Sequence, residues 1–298
     1  MAASRKLFVT GTGSFIGGAV LRSAAAQGYA LSGVDAAASG PGYDVADIRS
    51  PDIADLIPDE TDAIIHLAAV SRDPDCRDRA QACFDVNVMG TLNLMEAAKR
   101  RSVRQFIFAS SEWVYERFEP GQEKTEDDPI DASRHTSEYA FSKLVSEINL
   151  RQKFRHGFCA TTILRLGIVY GPRRTNWSAV EALIDAVAHK DEVVVGSRRT
   201  GRRFIHVDDV AEGILASVGQ PDLQVLNIQG PGFVTLGDVV DSAKRLLGRD
   251  TPLRETAPDA PNLRPVSSQR AQEVLGWRAR IGIEDGVKTV IDYLELGR

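Results

Sequence analysis

Cysteine, basic charge and long apolar runs are all scarce in this 298-residue chain, and each shortage excludes something. Three cysteines, Cys76, Cys83 and Cys159, show no Cys-x-x-Cys spacing. That argues against a disulfide scaffold and a metal site and fits free thiols in a reducing compartment, although Cys76 and Cys83 are near enough in sequence to face each other. The net charge is −5 and the pI about 5.6, and no segment concentrates Lys and Arg enough for a nucleic-acid footprint. The densest basic stretch, "KRRSVR" at 99–104, falls at a helix end, where cations suit the helix dipole. No apolar run approaches a membrane span. The opening "MAASRKLFVTGTG" runs almost directly into a strand and leaves no room for an apolar signal region. We therefore expect a cytoplasmic protein with no bound metal, nucleic acid or membrane.

The first half alternates short apolar strands with helical patterns. "KLFVT" (6–10), "ALSGVD" (30–35), "AIIHLA" (63–68), "QFIFAS" (105–110) and "TTILRLG" (161–167) read as strands. Helices are expected at about 15–27, 87–101 and 136–156. The strands are nearly continuous in apolar residues, as a parallel sheet covered on both faces requires. The expected fold is α/β, a Rossmann-type doubly wound parallel sheet with a smaller interleaved C-terminal substrate lobe. Residues 1–171 with about 204–230 form the first part, and about 172–203 with 231–298 the second. Later helices are expected at 177–190, 236–247, near 268–275 and 283–296.

"VTGTGSFIGG" (9–18) follows a strand and opens a helix. Glycines there allow a tight turn and close approach of a pyrophosphate to backbone N–H groups at a helix N-terminus. Asp35 ends the second strand, where a carboxylate accepts hydrogen bonds from adenosine ribose hydroxyls. "DAAAS" follows with no Arg to hold a 2′-phosphate, so NAD is preferred over NADP. In "YDVADIRS" (43–50), Asp47 beside Ile48 suits either an adenine contact or a helix cap, and the residues alone leave both open.

"TGTGSFIG", "DIRS", "HLAA" (66–69), "NVMGTLNLMEAA" (87–98), "FASSEWVY" (108–115), "YAFSK" (139–143), "LRLGIVYGP" (164–172), "RRFIHVDDVA" (202–211) and "LGW" (275–277) occur in that order. Together they resemble the extended short-chain dehydrogenase/reductases, which include nucleotide-sugar epimerases and dehydratases. The resemblance implies that Gly11, Gly13, Ser14, Phe15, Ile16 and Gly17 form the pyrophosphate turn, with Ser14 where the family usually has glycine. It implies that Asp35, Asp47 and Ile48 hold the adenosine and that Leu67, Ala68 and Ala69 run along the cofactor. Asn87 would support the sheet end. Ser111 matches the catalytic Ser/Thr, Tyr139 the base and Lys143 its partner, the last two also touching NAD.

Tyr139 and Lys143, four apart, share a helix face. An ordinary phenol has a pKa of about 10, and bringing it to about 7 takes roughly 4 kcal/mol. The expectation is that Lys143 and an oxidised nicotinamide supply that charge, while Ser111 hydrogen-bonds the reacting oxygen. His66 and His206 are expected to be packed structural histidines. Asp208 and Asp209 read as a helix start.

For the substrate, the resemblance places a diphosphate contact at Arg202, and Arg198, Arg199 and Arg203 add to a cluster suited to a dianion. Asn176 is a further polar contact, and Glu112 and Trp113 flank the reacting sugar. Related dehydratases carry Asp-Glu directly after the catalytic Ser/Thr, the Glu taking a proton. Here the pair is Glu112–Trp113, and an indole takes no proton, which argues against dehydration and the related decarboxylation. The leading expectation is an NAD-dependent nucleotide-sugar epimerase acting at C4, as a homodimer joined through the helices at 87–101 and 136–156. The alternative is an NAD-dependent oxidoreductase on a sugar or another hydroxy or keto substrate.

Overall fold

The computed structural model describes residues 4–297. The chain forms two compact units. One comprises Met1–Arg117, Glu126–Leu166 and Ala211–Leu226, the other Phe118–Thr125, Gly167–Val210 and Asn227–Arg298.

In the first unit, β1 (Lys6–Thr10), α1 (Phe15–Ala26), β2 (Ala30–Asp35), β3 (Tyr43–Val45) and β4 (Ala63–His66) alternate as the apolar runs require. Two short helices follow, α2 (Asp73–Cys76) and α3 (Ala80–Phe84). The helix expected from residue 87 instead begins with a wide π-type turn, Asp85–Gly90, before α4 (Thr91–Arg100). β5 (Gln105–Ser111), α5 (Glu138–Arg155) and β6 (Ala160–Leu166) complete the series. The seven-stranded sheet has the order β3-β2-β1-β4-β5-β6, closed by a strand at Leu223–Ile228, and every pairing from β3 to β6 is parallel. This is the doubly wound sheet that the run of apolar strands calls for.

Phe8, Ile64, Phe106, Phe108 and Ile163 pack with Leu94 and Met95 of α4 and Leu150 of α5. Each such side chain contributes about 1.5–3 kcal/mol on leaving water. This packing fixes the helices against the sheet, and so fixes which helix turn meets which strand end.

The second unit contains β7 (Val169–Tyr170), α6 (Ala179–His189), β8 (Val193–Val195), β9 (Gly201–Arg202) and β10 (Ile205–His206). From there α7 (Val207–Ala216) leads into the first unit, and β11 (Leu223–Ile228) is the closing strand of the large sheet. The chain then forms β12 (Val234–Thr235), α8 (Leu236–Leu247), β13 (Leu253–Glu255), β14 (Leu263–Arg264), α9 (Gln269–Leu275) and α10 (Ile283–Leu294). α6, α8 and α10 bury Val180, Ile184, Val239, Val240, Val287 and Ile291 around Tyr170. Among the described residues no helix is long and apolar enough to cross a membrane, and no cluster of three His, Cys, Asp or Glu is arranged for a metal.

Candidate active site

The glycine turn joins β1 to α1. Gly11 has φ +75°, the left-handed region, and a Cβ on Gly17 would lie 2.1 Å from the Gly11 carbonyl oxygen. Only glycine permits that approach. Ser14 sits at φ −75°, ψ 167°, an extended conformation any residue adopts, so it replaces the usual glycine without strain. Its hydroxyl accepts from the Gly17 N–H at 3.0 Å and caps the helix. Phe15 and Ile16, half-buried, form the first turn of α1.

Asp35, at the end of β2, faces the turn. Its carboxylate accepts from the N–H of Gly13 at 3.0 Å and of Ala37 at 2.9 Å. A Cβ on Gly13 would lie 3.1 Å from the Asp35 carboxyl carbon, so position 13 has no room for a side chain that leaves Asp35 undisturbed. The Thr12 hydroxyl is buried beside the turn without a hydrogen-bond partner. A glycine cradle, an acceptor at the strand end and no base in Ala36–Ala38 fit an adenosine diphosphate moiety with a free 2′-hydroxyl. Asp47 is engaged by Arg49, which donates to both carboxylate oxygens at 2.6–3.1 Å and holds the carboxyl below its ordinary range. Ile48 is buried against Gly90.

Leu67, Ala68 and Ala69 follow β4 and are half-buried. The Leu67 N–H donates to the Thr10 carbonyl at 3.1 Å, which keeps this segment beside the glycine turn. Asn87, buried in the π-type turn, holds the next residue from both sides. Its Oδ1 accepts from the Val70 N–H at 2.8 Å, and its Nδ2 donates to the Val70 carbonyl at 3.0 Å and to the Ser142 hydroxyl at 2.9 Å. One amide thus ties the loop after β4 to α5.

Ser111 ends β5, and its hydroxyl accepts from the Trp113 N–H at 3.2 Å, opening the short turn 112–115. Glu112 is buried and Trp113 half-buried in that turn. Ser137 caps α5, accepting from the Ala140 N–H at 3.1 Å, and so sets where Tyr139 and Lys143 project. The Ser111 hydroxyl lies near enough to the Tyr139 phenol to favour its ionised form. Lys143 is buried, donates from Nζ to the Ala109 carbonyl at 2.8 Å, and lies 4.8 Å from the Phe108 ring centre and 6.0 Å from that of Tyr139.

In the chain without cofactor, burial pushes the Tyr139 phenol up to about 12, and the nearby Ser111 hydroxyl only partly opposes it. Burial likewise brings Lys143 down to about 8. The chain alone therefore does not acidify Tyr139. The ammonium is spent on a backbone carbonyl and is itself desolvated.

His66 is packed as expected. Thr91 Oγ1 donates to the Asn87 carbonyl at 2.6 Å, so it accepts from His66 Nε2 at 2.9 Å, leaving Nδ1 to accept from Thr10 Oγ1 at 2.8 Å. Burial holds the ring down to about 3, so it stays neutral. His206, in the second unit, is buried against Tyr170 and placed by Thr289 at 3.0 Å.

In the second unit the arginine cluster is partly consumed. Arg198 pairs with Asp241 at 2.9 Å, Arg199 with Asp259 at 3.7 Å and Arg203 with Glu123 at 2.9 Å. These acids lie far away in sequence, so the pattern "SRRTGRR" gives no hint of them. Arg202 lies in β9 opposite Val234, half-buried, and Asn176 is exposed at φ +56°.

Cys76 and Cys83, near enough in sequence to meet, do lie together, buried beside Asn87, which donates to Cys83 Sγ at 3.4 Å. One pair escaped the sequence reading. Glu147 and Arg165 form a buried pair at 2.7 Å. The signal for Arg165 is present, one charge inside the apolar strand "TTILRLG".

Comparison with known proteins bears on this arrangement. A family model described as NAD dependent epimerase/dehydratase matches residues 7–228. The UDP-glucose 4-epimerase of Mycolicibacterium smegmatis is 25% identical over an alignment 316 positions long, gaps included, covering 97% of this chain and 98% of that protein. UDP-glucuronic acid decarboxylase 6 of Arabidopsis thaliana is 26% identical, covering 76% of this chain and 68% of that protein. The solved structure of MoeE5 in complex with UDP-glucose and NAD superposes with a TM-score of 0.85 at 26% identity, covering 97% of this chain and 98% of that one.

Proposed function

Because this chain belongs to the NAD dependent epimerase/dehydratase family, we propose that it interconverts nucleotide sugars by epimerisation, most directly at C4. It is an enzyme, and its cofactor is NAD. What supports the epimerase reading is that Ser111, at the end of β5, lies near Tyr139 of α5, with Lys143 one turn further along that helix. NAD, when held by the glycine turn and Asp35, supplies reversible two-electron oxidation.

Tyr139 takes the proton from the sugar hydroxyl and later returns it. The Ser111 hydroxyl holds the same oxygen and stabilises charge on it as the carbonyl forms. Lowering Tyr139 from about 12 to about 7 takes about 7 kcal/mol. Lys143 meets part of this once the site is closed and dry, and the rest arrives with the cofactor's charge. Between the two proton transfers the keto sugar presents its other face. Trp113 stands where dehydratases and decarboxylases of the family need a basic side chain, which favours epimerisation over loss of water or carbon dioxide. Arg202 and Asn176 are assigned to the substrate diphosphate, a guanidinium fork suiting that dianion. Asp47 and Ile48 are assigned to the adenine. The functional unit is a homodimer joined through the wide turn 85–90 with α4, and through α5, where Met89, Phe141 and Ile148 are exposed apolar side chains.

The test is incubation of NAD-loaded protein with a panel of nucleotide sugars, reading product stereochemistry by NMR and absorbance at 340 nm. Interconversion of a C4 pair without net NADH is expected. Stoichiometric NADH accumulation would instead make the protein a net oxidoreductase.

A further inference from the structure

We propose that Glu147 is a positioning residue for Ser111, Tyr139 and Lys143: with Arg165 it locks α5 to the end of β5, and its carboxylate keeps the ammonium charge on Lys143. The inference rests on the catalytic reading above, and it concerns a residue to which that reading gives no role.

Glu147 lies one helical turn after Lys143 on the inner face of α5. The two grip consecutive residues of β5. Lys143 donates to the Ala109 carbonyl at 2.8 Å, and Glu147 Oε1 accepts from the Ser110 hydroxyl at 2.5 Å. Arg165 stands directly opposite Ser110 in the β5–β6 pairing. It donates from Nε to Glu147 Oε1 at 3.0 Å and from NH2 to Oε2 at 2.7 Å. Its NH1 donates to the Tyr115 hydroxyl at 3.0 Å, with the guanidinium 4.9 Å from that ring's centre. Tyr115 closes the turn that starts at Ser111. One carboxylate therefore braces both flanks of Ser111, through Ser110 before it and through Arg165 and Tyr115 after it.

Packing alone does not explain the charge. Glu147 and Arg165 side chains are 1% and 2% exposed, and apolar groups of similar volume would hold a helix to a sheet at least as well. The groups facing Lys143 explain it. From α2 and α3 come the thiols of Cys76 and Cys83, from β4 comes neutral His66, and from α5 come Tyr139 and Glu147. Of these, Glu147 is the carboxylate. Desolvation pulls Lys143 toward its neutral form, and the neighbouring Cys83 and Cys76 thiols together with the Glu147 carboxylate oppose that pull.

The test uses NAD-free protein labelled with [13Cε]lysine, with the Lys143 resonance assigned by its loss in K143R. In the native protein its titration midpoint is expected near pH 8. In E147Q, which keeps the shape and the Ser110 contact, proton affinity should fall severalfold, while E147D retains most of it. A folded E147Q with an unmoved midpoint overturns the proposal. Should Arg165, left unpaired, unfold E147Q, the double variant E147Q/R165M removes both charges, and a smaller downward shift is expected because the opposing Arg165 cation is lost as well. No substrate enters this measurement, so its outcome is separable from the choice of sugar. A shifted midpoint in a protein that turns over no nucleotide sugar would sink the epimerase reading and leave this one standing. In an active enzyme, E147Q should lower kcat with little change in KM and displace the pH profile in the same direction as the resonance, whereas a purely structural loss would leave the profile in place.

Discussion

The Lys143 ammonium donates to the Ala109 carbonyl at 2.8 Å, while the Tyr139 ring centre stands 6.0 Å from it. A Tyr-x-x-x-Lys spacing invites the picture of a cation aimed at a phenol. Here the cation is anchored to the strand, and the phenol remains a protonated group well above its ordinary range.

Tyr139 should therefore titrate only when cofactor is present. In NAD-free protein no ionisation attributable to it is expected below pH 11, and NAD should move it toward neutrality. Difference absorbance at 295 nm between the native protein and Tyr139→Phe, with and without NAD, reads this directly. The same variant should lose turnover by at least a thousandfold yet bind NAD within about twofold of native. Retained turnover would remove Tyr139 as the base.

His66 should make the fold acid-sensitive. Its folded pKa of about 3 lies below the ordinary 6.5, so the unfolded chain binds the proton more strongly between those values. Stability from this group is fully present above pH 6.5 and is lost as pH falls toward 3. From pH 7 to pH 5 the loss is about 2 kcal/mol. Urea midpoints of native protein and His66→Gln at the two pH values give the comparison. Equal pH slopes in both would contradict the assignment.

Ser14 should be a cap first. Ser14→Ala is expected to cost about 1 kcal/mol of stability and Ser14→Gly only a few tenths. Calorimetric titration with NAD should show tighter binding to Ser14→Gly, because the Gly17 N–H is released from the hydroxyl. Weaker binding in both variants would make the hydroxyl a phosphate ligand instead.

Met89 and Ile148 are 56% and 54% exposed. If they form the homodimer seam, Met89→Asp with Ile148→Asp should halve the mass seen by light scattering, from twice 32.4 kDa to one chain. A native protein that is monomeric at tens of micromolar would withdraw the seam.

The alternation of strands and helices was legible because buried parallel strands are apolar along their whole length, as "KLFVT" and "QFIFAS" are. The glycine turn and Asp35 were legible because backbone sterics tie them to local sequence. Less local facts were not. The acidity of Tyr139 depends on how much water reaches it, which no spacing records. The partners of Arg198, Arg199 and Arg203 lie 43, 60 and 80 positions away. The wide turn at 85–90 replaces regular helix because Asn87 must reach Val70 and Ser142 together, a tertiary demand that overrides helix periodicity.

That wide turn makes residue count a shape parameter in this stretch. An ordinary helix advances about 100° per residue, and the π-type turn carries a surplus that changes the phase between α3 and α4. Deleting a single amino acid such as Val86 would let the coil close into ordinary α-helix and swing everything upstream around the axis by that angle. Cys83 and the Val70 loop would then face a different side of α5. Insertions and deletions, commonly harmless in surface loops, are here equivalent to rewiring, and a homologue one residue shorter across 85–90 must hold its loop after β4 by other means.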